Sequence, residues 1–425
     1  MAIFTSQQKK ILALSSLGGA LEFYDFIVFV FLAKTIGSLF YPSQNPVLSL
    51  ITTYSVFAVG YLARPLGGMI FGHIGDRYGR KKTFIATLLL MALPTFFIGL
   101  LPTYQNMGIT ASFALLLLRL IQGFSVGGEI PGAIVFSLET VLEKYRGFAT
   151  GLILFGVNMG LLSGSLIVSL LTNILNETQM HTWGWRIPFL LGGIFGLTSA
   201  YLRKQLEETP AFNLMIRKIA KSRSPIKNVL LYHHRALCKA IAITALQAVI
   251  ISIIYLFMPT YLATFFHYPP EKTLTLNTLM ILLFALPILL TSFISDIVGR
   301  KKIVLISILA YLFLSYPLFL LFYSRNWHLV ILALCILALF ASPVAGVFSC
   351  MMAEQFPTPI RYSGTALSYN LGFGIIGGFT PLIATGLIHV TDNLIAPSFC
   401  LITVSAIALI AWFYLPETHK ADITQ

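Results

Sequence analysis

Residues 73–82 read H-I-G-D-R-Y-G-R-K-K, and residues 293–302 read F-I-S-D-I-V-G-R-K-K, 220 positions later. That offset aligns Asp76 with Asp296, Gly79 with Gly299 and Arg80 with Arg300. A second echo lies further on in each half, where Glu139 precedes Arg146 by seven residues and Glu354 precedes Arg361 by seven. Two signals recurring at matching places mean one unit duplicated in parallel. What that unit is follows from the sequence around the two copies.

Each copy stands directly after an apolar run long enough to cross about 30 Å of hydrocarbon, which takes about 20 residues. Such runs fall at 14–40, 48–71, 83–102, 111–136, 147–172 and 185–203, then at 236–262, 273–297, 302–323, 327–352, 362–390 and 394–415. The sets of six are separated by one long polar segment, 204–235, which holds Lys218, Lys221, Arg223, Pro225 and Lys227. The expected architecture is an all-α membrane protein of twelve transmembrane helices in two six-helix bundles, 1–203 and 236–425, joined by a cytoplasmic linker at 204–235. In transporters of this build the substrate site lies between the halves near the bilayer midplane.

Composition agrees with that reading. Of 425 residues 57% are apolar and 10% charged, with a mean hydropathy of +0.85, too much apolar surface for a soluble core. The net charge of +13 is explained by topology. Of 28 Lys and Arg residues, 22 fall in the termini and loops of one side and only Arg186, Lys272 and Arg325 on the other. Basic loops stay in the cytoplasm, so both termini are placed there and no nucleic-acid partner is needed. Lys9 and Lys10 ahead of an apolar run resemble a signal peptide, but Glu22 and Asp25 interrupt the run and no small-residue cleavage site follows, so it reads as the first span.

Other chemistry finds little support. Cys238, Cys335, Cys350 and Cys400 stand singly, and His233 and His234 are adjacent, so neither set has metal-ligand spacing and no metal or cofactor is expected. The chain lacks G-x-x-x-x-G-K-[ST] for an ATP-driven pump and H-E-x-x-H for a membrane enzyme. A carrier, not an enzyme, is the expectation.

Ionisable residues inside spans are costly, at least ~2.5–3.5 kcal/mol at mid-helix, so they should face a cavity and pair. Six occur, all in the first half: Glu22, Asp25, Lys34, Arg64, Arg119 and Glu129. At 1.5 Å per residue, Asp25 lies roughly 16 Å and Arg119 roughly 18 Å from the cytoplasmic end, with Glu22 and Glu129 at roughly 12 and 10 Å. This predicts an Asp25–Arg119 pair at the midplane and, below it, Glu22 and Glu129 as a carboxylate pair. Two carboxylates close together hold a proton more readily than either alone, so Glu22, Asp25 and Glu129 are the proton-coupling candidates. Lys34 is near enough to the opposite surface to snorkel, and Arg64, before Pro65, is expected to serve closure near Asp76. The duplicated loops predict a paired cytoplasmic gate built on Asp76, Arg77, Arg80, Asp296 and Arg300, each aspartate bonding a helix N-terminus or an arginine. Substrate-binding candidates are Arg119 and Tyr24 with the uncharged Gln247, Tyr255, Tyr369 and Asn370 of the second half. Gly156, Gly160 and Gly164, and in the eleventh span Gly364, Gly372, Gly374, Gly377 and Gly378, are expected to pack helices closely.

The motifs resemble the major facilitator superfamily and, within it, the metabolite:proton symporter family. The matching pieces are L-E-F-Y-D-F (21–26), A-R-P-L-G-G (63–68), G-H-I-G-D-R-Y-G-R-K-K (72–82), R-L-I-Q-G-F-S-V-G-G-E (119–129), W-G-W-R-I-P-F (183–189), L-E-E-T-P-A-F (206–212), F-P-T-P-I-R-Y-S-G (356–364) and L-P-E-T (415–418). The sixth and seventh pieces are most similar to the proline/betaine transporters; Gly19, where such chains carry Asn or His, and Lys34 depart from the pattern. The resemblance implies a proton-coupled secondary symporter of the bacterial inner membrane, a monomer in the lipid bilayer. By alternating access it would import a small polar solute, best a zwitterion such as proline or betaine. The alternative within the family is a symporter of di- or tricarboxylates. Two acids, Glu22 and Asp25, against one base, Arg119, favour the zwitterion.

Overall fold

The structure, a computed structural model, describes residues 4–44, 46–217 and 224–419; Lys218, Lys221, Arg223 and Lys420, counted above on the basic side, lie outside them. The regular elements among the described residues are all helical. Twelve long helices carry the fold. The first half holds α1 (Ser6–Phe31, continued past Leu32 by Ala33–Phe40), α2 (Pro46–Tyr78), α3 (Arg80–Leu100), α4 (Ile109–Thr140), α5 (Arg146–Ile174) and α6 (Arg186–Arg203). The second holds α7 (His234–Ile251, a π-helical Ser252–Phe257, then Met258–Phe265), α8 (Pro270–Val298), α9 (Arg300–Leu320) and α10 (Trp327–Glu354). It ends with α11 (Arg361–Tyr369, a π-helical Asn370–Gly377, then Gly378–Thr391) and α12 (Pro397–Tyr414). Between the halves run two short helices, Pro210–Arg217 and Pro225–Tyr232.

Ten of these twelve are long and apolar enough to cross a membrane. Of the other two, α6, 18 residues long, is bounded by Arg186 and Arg203, and α2 carries Arg64, Asp76 and Arg77 in its second half. Several helices overrun the predicted spans on the face rich in Lys and Arg: α1 starts at Ser6, α2 runs to Tyr78 and α4 to Thr140. Thr5 caps α1 with Gln8, and at the end of α4 the Gln8 amide donates to Thr140 O, so protein groups satisfy these ends. Proline sits inside α2, α3, α4, α8, α9, α10 and α11, a placement that membrane helices tolerate where neighbours re-satisfy the freed carbonyls.

The largest apolar core fills the second half and continues into the first through residues of α1, α4 and α5, a smaller core lies within the first half, and the halves meet through α2 and α4 against α11 and through α5 against α8 and α10. Small residues make the closest contacts possible. A methyl group on Gly160 would stand 1.9 Å from Ala20 O, one on Gly156 2.1 Å from Ser16 Oγ and one on Gly164 2.4 Å from Ile27 Cγ2, all on α1. In α11, Gly364 packs on Phe356, and Gly372 and Gly377 on Thr244 and Ala248 of α7, as expected. Gly374 has open space beside it and Gly378 meets only a carbonyl of its own helix, so these two do not form the seam. Gly160→Leu should wedge α1 from α5 at the ~1–3 kcal/mol of an overpacked core or more. A clearly lower melting temperature and a smaller monodisperse fraction in detergent are expected, while Gly386→Ala, with nothing within 4 Å, leaves both unchanged.

Candidate functional site

Four charged residues of α1, α2 and α4 converge on one small cavity of about 50 Å³, lined by Glu22, Asp25, Tyr61, Arg64, Arg119 and Gln122 among others. Arg119 Nη1 lies 2.7 Å from Asp25 Oδ2, the pairing that helical depth predicts. Thr95 Oγ1 donates to the other oxygen of Asp25 at 3.2 Å and itself accepts from Gln122 Nε2 at 2.7 Å. The guanidinium rests 3.7 Å above the Phe29 ring, so this pair is held from three sides.

The second predicted pair does not form. Glu22 Oε1 meets Arg64 Nη2 at 3.1 Å, both side chains being buried. Glu129 instead takes Arg203 at 2.6 Å and the Thr87 hydroxyl at 2.6 Å, away from the cavity lining. Depth along the membrane normal put the two acids at similar heights but could not say which way each faced. Arg64 therefore belongs to the cavity, not to closure near Asp76, and Arg203, at the end of α6, is a buried partner. Lys34 is exposed.

The remaining candidates divide. Tyr24 is spent on structure: its hydroxyl donates to Pro188 O at 2.8 Å and its ring packs on Gly192 of α6. Tyr369 reaches Arg64 across the boundary between halves, and Asn370 Nδ2 donates to Gly127 O of α4 at 2.8 Å. Gln247 and Tyr255 of α7 are buried but do not line this cavity, and Gln247 Oε1 and the Tyr255 hydroxyl have no hydrogen-bond partner among the described residues.

On the basic face the duplicated motif makes two reciprocal latches. Asp76 accepts from Tyr362 N at 3.1 Å and Ser363 N at 2.8 Å, the first turn of α11, while Arg80 sits 3.2 Å away. Asp296 accepts from Gly147 N at 2.9 Å and Phe148 N at 2.8 Å, the first turn of α5, with Arg300 at 2.8 Å. Carboxylates suit these positions because the first N–H groups of a helix lack internal partners and the dipole is positive there. Gly79 and Gly299 make the turn behind each aspartate at φ +123° and +104°, a region costly for other residues. Arg77, by contrast, is exposed beside the Tyr78 ring and joins neither latch.

The network extends beyond the predicted residues. Glu139 joins Arg361 of the other half at 2.7 Å and Arg80 at 3.3 Å, and accepts from the Thr209 hydroxyl at 2.6 Å. Glu208 caps the start of α3 through Arg80 N and Lys81 N, and Glu417 caps α9 through Arg300 N and Lys301 N. Burial raises the Glu417 carboxyl, but these N–H donors outweigh it and hold the group below the usual carboxylate range, so the cap is ionised at neutral pH. The repeated Glu-Thr after the sixth and twelfth spans was the available signal: Thr209 bonds Glu139, and Thr418 bonds Glu354.

The family model described as Major Facilitator Superfamily matches residues 14–294 and 275–425. The chain belongs to the major facilitator superfamily. It is 36% identical to the glycine betaine/proline/ectoine/pipecolic acid transporter OusA of Dickeya dadantii over 98% of this chain and 84% of that one. It is 35% identical to the proline/betaine transporter of Salmonella typhimurium, over 98% and 85%. Among solved structures, the proton:xylose symporter XylE bound to 6-bromo-6-deoxy-D-glucose superimposes with a TM-score of 0.81, covering 99% and 98% at 16% identity, which shows the fold. This major facilitator chain is thus a multi-pass membrane transporter and not an enzyme.

Both latches tie the two halves of this transporter together on the basic face. Asp76→Asn removes the charge from the hydrogen bonds to α11, where bonds to charged groups contribute ~1.5–3 kcal/mol, so the closed population should fall severalfold or more. A cysteine placed at the opposite mouth of the cavity should then react more slowly with a membrane-impermeant maleimide. An unchanged rate would leave Asp76 as a topology residue only.

Proposed function

We propose that this transporter is a proton-coupled symporter of the bacterial inner membrane. It imports a small zwitterion such as proline or a betaine, with both termini and the latched face in the cytoplasm. The observation that carries the reading is one buried cavity in which two carboxylates, Glu22 and Asp25, face two guanidiniums, Arg64 and Arg119. A zwitterion offers a carboxylate to a cation and an ammonium to a carboxylate or aromatic face, and adds no net charge. The names of the two relatives, each matched over most of its length, support the same substrate class.

The bundles 1–203 and 236–425 rock about the cavity as a monomer, with 204–235 as the link. The latches on α5 and α11 hold the inward side shut until a proton and the solute are bound. Arg119 with Tyr369 and Asn370 contacts substrate. Glu22 and Asp25 carry the proton chemistry, and Glu129, tied to Arg203 and Thr87, tunes it from outside the cavity.

Proteoliposomes with an imposed pH gradient test the reading. Asp25→Asn should reduce gradient-driven accumulation of proline or glycine betaine at least ~10-fold while the protein stays folded. Counterflow identifies the solute: competition by glycine betaine and proline is expected, and competition by citrate or 2-oxoglutarate alone would establish the carboxylate alternative instead.

A further inference from the structure

The two ion pairs in the cavity are built differently. Asp25 has a partner on each oxygen, Thr95 and Arg119, whereas Glu22 is held through Oε1 alone and its Oε2 has no partner among the described residues although the side chain is buried. Arg64 has a matching vacancy: Nη2 meets Glu22, and Nε meets no acceptor among the described residues. Its guanidinium stacks 4.7 Å over the Tyr61 ring and is within hydrogen-bonding reach of the Tyr369 hydroxyl of α11. An arginine with a single carboxylate contact, an open donor and a cavity in front of it is equipped to change partners.

We propose that Arg64 receives the carboxylate of the transported solute, and that a proton taken up by Glu22 is what releases Arg64 to do so. The inference rests on the symport reading above and names the residues that couple the two fluxes. With Glu22 ionised, Arg64 is neutralised, and a solute carboxylate would face a competing anion. Once Glu22 Oε1 or Oε2 binds a proton, no bond to carbon changes, Glu22 becomes neutral, and the buried guanidinium needs a new anion. The solute carboxylate supplies it, so proton and solute each favour binding of the other, as linkage requires. The groups facing Glu22 set this exchange from every side: Asp25 on α1, Tyr61 and Arg64 on α2, Arg119 and Glu129 on α4, and Tyr369 on α11. Because Tyr369 belongs to the other half, a change of partner at Arg64 is also felt across the boundary that must rearrange during transport.

Reconstituted protein with labelled glycine betaine and proline as probes separates the outcomes. R64K should raise the KM for counterflow at least ~10-fold with kcat little changed, because a point charge replaces the two-pronged donor. E22Q should abolish accumulation driven by a pH gradient, keep counterflow, and remove the pH dependence of its KM. E22Q/R64Q leaves no unpaired charge and so guards against misfolding; it should insert normally and show no saturable counterflow. A wild-type KM in R64K, or saturable wild-type counterflow in the double variant, overturns the proposal. A solely structural Arg64 would lower yield and melting temperature without moving KM in the surviving protein. If wild type itself moves neither probe nor citrate under a pH gradient, the symport reading fails instead; if it moves citrate, the same variants are scored with citrate.

Discussion

A charge inside a membrane protein must be answered by an opposite charge from another helix, and this constraint decides which helices of this chain stand side by side. Among the described residues, six arginines that are nearly inaccessible find carboxylates on other long helices: Arg64 on Glu22, Arg119 on Asp25, Arg203 on Glu129, Arg80 and Arg361 on Glu139, and Arg300 on Glu354. Such pairs contribute little net stability, because desolvation offsets attraction, yet removing one partner costs ~3–5 kcal/mol. They therefore act as registers. Any sliding of α1 against α2 or α4 by one turn would strand two guanidiniums at once.

If the basic face opens and closes in the proposed transport cycle, the same constraint makes that closure reversible. Each latch joins a carboxylate of one half to the open N–H groups of a helix in the other, so neither half satisfies its own groups alone. Glu139–Arg361 adds a direct charge pair across the boundary beside the Asp76 latch. When the face opens, water can replace every one of these partners. The bonds are strong enough to close the face and exchangeable enough to release it. Glu208, at the start of the linker, caps α3, and Glu417 caps α9 of its own half, so neither ties one half to the other.

Much of this was legible in the residues. The apolar runs gave the number and order of helices, the 220-residue offset gave the duplication, and the rise per residue was enough to pair Asp25 with Arg119. What depth cannot supply is azimuth. Glu22 and Glu129 stand at similar heights, but α1 turns Glu22 toward α2 while α4 turns Glu129 toward α6. Arg64 looked like a neighbour of Asp76 because Pro65 follows it, yet it lies twelve residues away on the same helix, about 18 Å at 1.5 Å per residue. Tyr24 failed for the same reason, since one step along a helix from an aromatic beside the cavity points at another helix. The aromatic and amide candidates of α7 were chosen by residue type alone, with no partner in the sequence to orient them.

Admitting Arg64 to the cavity changes the charge argument but not its direction. A site with two acids and one base resists an anion through its net negative charge; a site with two of each has no such bias. Its selectivity must come from how the charges are paired. A dicarboxylate entering the neutral cavity would need both guanidiniums freed, hence both Glu22 and Asp25 neutralised, although Asp25 is held on both oxygens. A zwitterion needs one guanidinium, and its ammonium can remain near the still ionised Asp25. In the proposed symport, one proton on the loosely held acid would then be sufficient for entry. In that proposed symport, the asymmetry between the two pairs, more than their total charge, is what would suit the cavity to a solute carrying one carboxylate and one cation.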